Sequence, residues 1–188
     1  MEYVEPIKEI EQINAMKDIL SRNSKRDLLF FVLGINTGIK ISELLLLKVE
    51  DVWAEEQMKE FLYVIDKKSG EKKAYYLNNS VNTALESYLA TIPFQQSDYL
   101  FKSQKNNRPI TRQQAYRIIN HAAEEAKIEG NIGTHTLRKT FGYHAYRKGI
   151  AISIIMGIYQ HHSPAETLHY IGINKNEEHN VVKIDVNL

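Results

Sequence analysis

The chain has 188 residues, a 43% apolar fraction and a net charge of +1. That supports a folded domain with its own core and is not the composition of a disordered chain. It has no cysteine, which excludes disulfides and cysteine-based zinc sites. The acidic N-terminus, Met-Glu-Tyr-Val-Glu-Pro, is unlike a signal peptide. The longest apolar run, Leu28 to Ile35, is too short to span a bilayer, so a cytoplasmic location away from the membrane is expected.

Taken in order, Glu9 to Leu20 has the spacing of an amphipathic helix, with Ile10, Ile13, Met16, Ile19 and Leu20 on one side. Arg22 to Ser24 reads as a break in which Ser24 caps the next segment. Arg26 to Asn36 is apolar on every face, which predicts a central buried helix, and Thr37-Gly38 closes it. A short helix is expected from Ser42 through Leu47, with Lys40 in the turn before it. Lys40 alone reads equally as an exposed turn lysine. Phe61 to Asp66 and Lys73 to Leu77 read as two strands joined by a lysine-rich hairpin turn holding Lys67, Lys68 and Gly70. Charged tips discourage edge-to-edge pairing, and they also carry a lysine into a groove.

Helices are expected over Asn79 to Leu89, from a Thr111 cap through Lys127, over His135 to Lys148, over Ile150 to Tyr159 and over Ala165 to Tyr170. Ser163 caps the last and Pro164 takes its first position. The fold class is therefore mainly α with a small antiparallel sheet (α+β). Between Phe101 and Gly149 the chain carries ten Lys or Arg against three Glu. That local excess suits a polyphosphate partner, although ordinary solvated helix faces also carry such charge.

Gly133-Thr-His-Thr-Leu-Arg138 places His135 and Arg138 three residues apart, on one helix face. His161 follows, and Tyr170 lies nine residues further on. An arginine, two imidazoles and a phenol are a set that can support covalent phosphoryl transfer. On its own, a His-x-x-Arg pair is equally an ordinary packed or solvated one. The adjacent His161 and His162 would point apart, and no Asp or Cys stands at ligand spacing, so no metal site is expected.

As an ordered set these segments resemble the catalytic domain of tyrosine recombinases, the phage integrase family. Asn36-Thr-Gly-Ile-Lys-Ile-Ser-Glu-Leu44 is similar to the family's Thr-Gly-(Leu/Met)-Arg-x-Ser-Glu-Leu segment. Thr134-His-Thr-Leu-Arg138 resembles its His-x-x-Arg box. Gln160-His-His-Ser-Pro-Ala-Glu-Thr-Leu-His-Tyr170 resembles its ending, and Lys68 best matches its hairpin lysine. The resemblance covers about Ile35 to Gly172.

The resemblance implies cleavage and rejoining of double-stranded DNA through a 3′-phosphotyrosyl intermediate, as in DNA integration and mobile-element recombination. Tyr170 would be the nucleophile. Arg138, His135, His161 and Lys40 would act on the phosphate and the tyrosine proton, Lys68 would protonate the leaving oxygen, and Glu43 would orient the site. Lys102, Lys105, Arg108, Arg112 and Lys139 are expected to contact DNA. No cofactor is expected.

Two departures qualify this. Lys40 stands where the family has an arginine. Losing one preorganised donor costs about 2.7–4 kcal/mol, roughly 100- to 1,000-fold in rate, and retained charge should recover part of it. A non-catalytic DNA-binding or regulatory module therefore remains the alternative, and a type IB topoisomerase-like activity is a related outcome. The second departure is the family's N-terminal clamp, which has no counterpart before Ile35. A catalytic domain over residues 1–172 without a core-binding domain is expected, with a tail over 173–188 that packs on its own domain or on a neighbouring protomer. The partner would be DNA, with a homo-oligomer on it or a full-length recombinase.

Overall fold

A computed structural model describes residues 4–66, 70–103 and 105–174. The element order is α1 (Ile10–Asn23), α2 (Lys25–Thr37), α3 (Ile41–Leu44), α4 (Val49–Val52), β1 (Trp53–Ala54), β2 (Gln57–Met58), β3 (Phe61–Ile65), β4 (Lys72–Tyr76), α5 (Asn79–Leu89), α6 (Arg112–Glu125), α7 (Thr134–Arg147), α8 (Ile152–Tyr159) and α9 (Pro164–Tyr170). This is the mainly α architecture with small antiparallel sheets that the sequence leads one to expect. The hairpin tip at Lys67, Lys68 and Ser69 and the run Val181 to Val186 lie outside the described residues.

Helix α2 is the axis of the core. Leu29, Phe30, Phe31, Val32, Leu33 and Gly34 are all buried, so it presents apolar surface on every side. It packs against α1, α5 and α7. Its start is fixed by the Ser24 hydroxyl, which accepts from the Asp27 N–H at 3.3 Å. Its end is fixed by Gly38 at φ 63°. A Cβ at Gly38 would run into the Phe141 ring of α7, so glycine answers both a left-handed backbone and a close approach.

The β3–β4 pair is antiparallel, with Phe61 opposite Tyr76 and Ile65 opposite Lys72. Leu62 and Tyr75 face the core, and Tyr63, Ile65 and Tyr76 face out. Several boundaries differ from the sequence-based expectation. The first helix runs on to Asn23, so the break shrinks to Ser24 alone. The return strand begins at Lys72, and the helix after Gly149 begins at Ile152. The β1–β2 pair has no counterpart in the sequence reading. Its turn is Glu55-Glu56, both at positive φ, where glycine or asparagine is the usual marker.

A second, smaller core holds the C-terminal layer. Ile155, Tyr159, Ile171 and Ile173 are buried together, with Phe141, Tyr146, Leu168 and Tyr170 packed around them. Helix α7 serves both cores, since Leu137 belongs to the larger one. Gly142 makes this possible: a Cβ there would overlap the Tyr159 hydroxyl and Ile171. Gly142→Ala opposes two effects. Alanine gains up to about 1 kcal/mol of helix propensity, whereas overpacking a filled core typically costs about 1–3 kcal/mol. Overpacking should win, giving a lower urea midpoint with an unchanged m-value. A stabilised variant would show that the α7–α8 contact yields easily.

Candidate active site

The first two turns of α7 form one wall of a cleft of about 480 Å³. Thr134, His135, Arg138 and Lys139 line it, with Lys40 and Ser42 from the α2–α3 junction, Arg112 from the start of α6 and Tyr170 from the end of α9. Among the described residues, four cationic side chains line the cleft and no carboxylate does. The N-terminus of a 14-residue helix adds partial positive charge at the same place. Such a lining suits an anion with several oxygens.

Arg138 is 8% exposed. Its guanidinium donates to the carbonyl of Gly38 and, at 3.0 Å, to that of Ile158. It lies 4.3 Å from the centre of the Tyr159 ring, and the Tyr159 hydroxyl donates to the Arg138 carbonyl at 2.5 Å. The side chain is thus fixed before any ligand arrives. Five N–H donors are available to an arginine, so these two bonds leave the others for the cleft.

Tyr170 closes α9. Its ring meets Tyr159 and His161 edge-on, at 5.2 and 5.1 Å between centroids, and the Lys139 ammonium lies 5.0 Å from its centre. Burial pushes the phenol pKa up, and Arg138 pulls it back by charge and hydrogen bonding. His161 Nδ1 lies 3.0 Å from the Thr167 hydroxyl oxygen. When that hydroxyl donates to the Ser163 carbonyl, 3.3 Å away, Nδ1 is the donor in their bond and Nε2 is left as an acceptor. Burial lowers the His161 pKa, as desolvation and the cations Arg112, Lys139 and Arg138 lower that of His135. Both shifts favour the neutral imidazole. His162 is exposed.

Lys40 precedes α3. Its ammonium donates to Asp66 Oδ2 at 2.6 Å and to Gln160 Oε1 at 3.1 Å. Lys73 on β4 lies 3.9 Å from the same carboxylate oxygen. Desolvation, then Lys40, lowers the pKa of Lys73. Glu43 is half-buried beside this group. Burial, followed by the Glu43 carboxylate, raises the pKa of Tyr75.

The structure therefore brings together Tyr170, Arg138, His135 and Lys40, with His161 against the Tyr170 ring and Glu43 behind. Lys68 lies outside the described residues. The five residues expected on DNA divide. Arg112 and Lys139 line the cleft, Lys139 almost fully buried. Lys102, Lys105 and Arg108 lie on the connection between α5 and α6, where Lys102 pairs with Asp98 at 3.2 Å and Lys105 lines a separate cleft with Arg26 and Arg117. Sequence reasoning missed Asp66, Lys73, Tyr159 and Gln160. Lys73 alone had a visible signal, as an inward-register position on a strand.

Residues 6–177 match the phage integrase family. The chain belongs to that family. It is 39% identical over 184 residues to a probable integrase/recombinase, YoeC, of Bacillus subtilis, covering 98% of both chains. It is 30% identical over 162 residues to the tyrosine recombinase XerA of Pyrococcus furiosus, covering 85% of this chain and 54% of that one. The chain thus spans nearly all of the first relative and about half of the second. Among solved structures, a XerA recombinase superposes with a TM-score of 0.74 at 24% identity, over 95% of this chain and 62% of that one. The catalytic domain of bacteriophage HP1 integrase superposes at 0.61 and 20% identity, over 97% and 96%. Both carry the fold of an integrase catalytic domain. Among the described residues no helix is long and apolar enough to cross a membrane.

The lowered His161 pKa has a measurable consequence for this integrase domain. The fold favours neutral His161, so that contribution is complete above the unfolded value of about 6.5 and is lost as pH falls through the folded one. Urea midpoints measured between about pH 7.5 and 5 should therefore decline towards acid, and less steeply in His161→Gln. An identical acid limb in the variant would mean that His161 titrates alike folded and unfolded.

Proposed function

We propose that this chain is a DNA strand-breaking and rejoining recombinase domain acting through Tyr170. The observation that carries the reading is the convergence of a prefixed Arg138, Lys40 and His135 on the cleft that ends at the Tyr170 ring. A phosphodiester fits the cationic lining, and the tyrosine is the nucleophile within reach of it.

The Tyr170 oxygen attacks phosphorus, and the bond from phosphorus to the 5′ oxygen breaks. The products are a 3′-phosphotyrosyl ester and a 5′-hydroxyl end. Because an ester replaces an ester, rejoining is the reverse step and needs no nucleotide hydrolysis. Free tyrosine has a pKa of about 10, and burial raises it here, so the proton must be taken up as attack proceeds. His161 Nε2 is the acceptor for it. Charge growing on the non-bridging oxygens is met by the remaining N–H groups of Arg138, by Lys40 and by His135. Lys68 at the hairpin tip delivers the proton to the departing 5′ oxygen. Arg112 and Lys139 hold the phosphate backbone, and double-stranded DNA is the substrate. Two similar chains offer support: a XerH recombinase was solved bound to its difH substrate in a post-cleavage complex, and a Tn1549 transposon integrase in complex with DNA.

A second reading, DNA binding without turnover, is favoured by one observation. Lys40, at the family's arginine position, is held by Asp66 at 2.6 Å. Trapping decides between the two. A duplex nicked one nucleotide from each tested cleavage position lets the short 5′ fragment diffuse away, and denaturing electrophoresis reveals the adduct. Tyr170→Phe should abolish the adduct and leave duplex affinity within about twofold, since the hydroxyl supplies the nucleophile and little binding energy. An adduct that persists in Tyr170→Phe would assign the nucleophile elsewhere, and no adduct from wild type would favour the binding reading.

The position of Lys40 gives a second expectation. A guanidinium there restores a planar pair of donors, so Lys40→Arg should raise the single-turnover cleavage rate about tenfold, part of the range for one oxyanion donor. An unchanged or lower rate would mean that position 40 does not limit the chemistry.

A further inference from the structure

We propose that Asp66 is the positioning residue that makes Lys40 an effective donor to the scissile phosphate, a proposal that rests on the strand-cleavage reading above. An arginine brings its donors in a rigid plane. A lysine ammonium swings on four carbon–carbon bonds and must be oriented from outside. The surroundings of Lys40 supply that orientation. Asp66, 2% exposed at the end of β3, accepts from Lys40 Nζ at 2.6 Å, and Gln160 accepts from it at 3.1 Å. An ammonium has three donors. Two are taken by Asp66 and Gln160, which leaves the third to point in another direction.

That direction follows from the two neighbouring cavities. Lys40 lines both the cationic cleft and the pocket beside it, whereas Asp66 lines only the second. Lys40 therefore borders both the pocket that holds the carboxylate and the proposed phosphate site. Asp66 is itself steadied by Lys73, whose ammonium is 3.9 Å away, buried, and without a hydrogen-bond acceptor among the described residues. The opposite role, a carboxylate that masks the site, would need Asp66 to face the cleft.

The two roles give opposite signs. Removing a negative charge beside a phosphate site should tighten binding and speed cleavage if only Coulomb attraction matters. If Asp66 orients Lys40, Asp66→Asn should slow single-turnover cleavage of the nicked duplex by at least about tenfold, with duplex affinity within about threefold. Arginine orients its own donors, so in the Lys40→Arg background the same change should cost less than about threefold. Gln160→Asn keeps folding out of the question: the site is exposed, its φ is 60°, and asparagine adopts that conformation readily. It should slow cleavage severalfold, again rescued by Lys40→Arg.

A faster or unchanged Asp66→Asn enzyme, or equal losses in both backgrounds, would overturn the proposal. Absence of any Tyr170-dependent adduct from wild type would instead overturn the cleavage reading. Asp66 is then read from calorimetric binding of orthovanadate, which adopts the five-coordinate geometry of phosphoryl transfer. Weaker binding in Asp66→Asn, rescued by Lys40→Arg, supports the clamp, and equal or tighter binding sinks it.

Discussion

The site depends on how a buried, permanently charged arginine is held. Arg138 cannot shed its proton, and desolvating a charge without partners is costly. Its partners here are carbonyl dipoles from Gly38 and Ile158 and the face of Tyr159. Dipoles stabilise the guanidinium without neutralising it, so its field remains available to an anion. That field reaches the whole site: desolvation is the main cause that lowers His135, His161 and Lys73, the Arg138 charge adds to it, and the same charge opposes the rise of Tyr170. A carboxylate hydrogen-bonded to Arg138 would have cancelled much of this. Asp66, one of the carboxylates near the site, is placed on Lys40 instead.

Holding Arg138 this way ties together distant parts of the chain. Gly38 ends α2, the helix around which the main core is built, and Ile158 belongs to α8, part of the smaller core. The guanidinium is thus a polar link between two hydrophobic clusters that are also joined by α7 and by Ile158, which packs against both. The left-handed turn at Gly38 and the bare surface of Gly142 are the two backbone conditions for that link. Each lets a neighbouring aromatic ring, Phe141 or Tyr159, sit closer than any side chain would allow.

Much of this was legible in the sequence because it is local. Periodicity and caps mark the helices: Ser24, Asn78, Thr111 and Ser163 all cap as serine, asparagine or threonine should. The Glu55-Glu56 turn was not legible, because it takes a conformation its residues do not advertise. Lys139 is expected from the sequence to contact DNA, and nothing local to it shows that the fold buries it against Tyr170. Asp66 and Gln160 were beyond reach, since they lie 26 and 120 residues from Lys40. A short acidic residue ending a strand and a glutamine ending a helix carry no local sign of what they will touch.

The division into two cores bears on how the tyrosine can work. Tyr170 packs at the edge of a cluster with four buried members among the described residues, Ile155, Tyr159, Ile171 and Ile173. Local opening costs less where fewer apolar contacts must be broken. The α8–α9 layer can therefore shift while α2 and its neighbours stay folded. His135 sits on α7, inside the larger framework, and keeps its place in such a shift, whereas Arg138 would give up its contacts with Ile158 and Tyr159 on α8. His161 moves with Tyr170, because the pair is joined by ring contact and by the Thr167 hydroxyl on the same short helix. Tyr170 and His161 thus form one unit, joined to Arg138 of the larger framework through Tyr159.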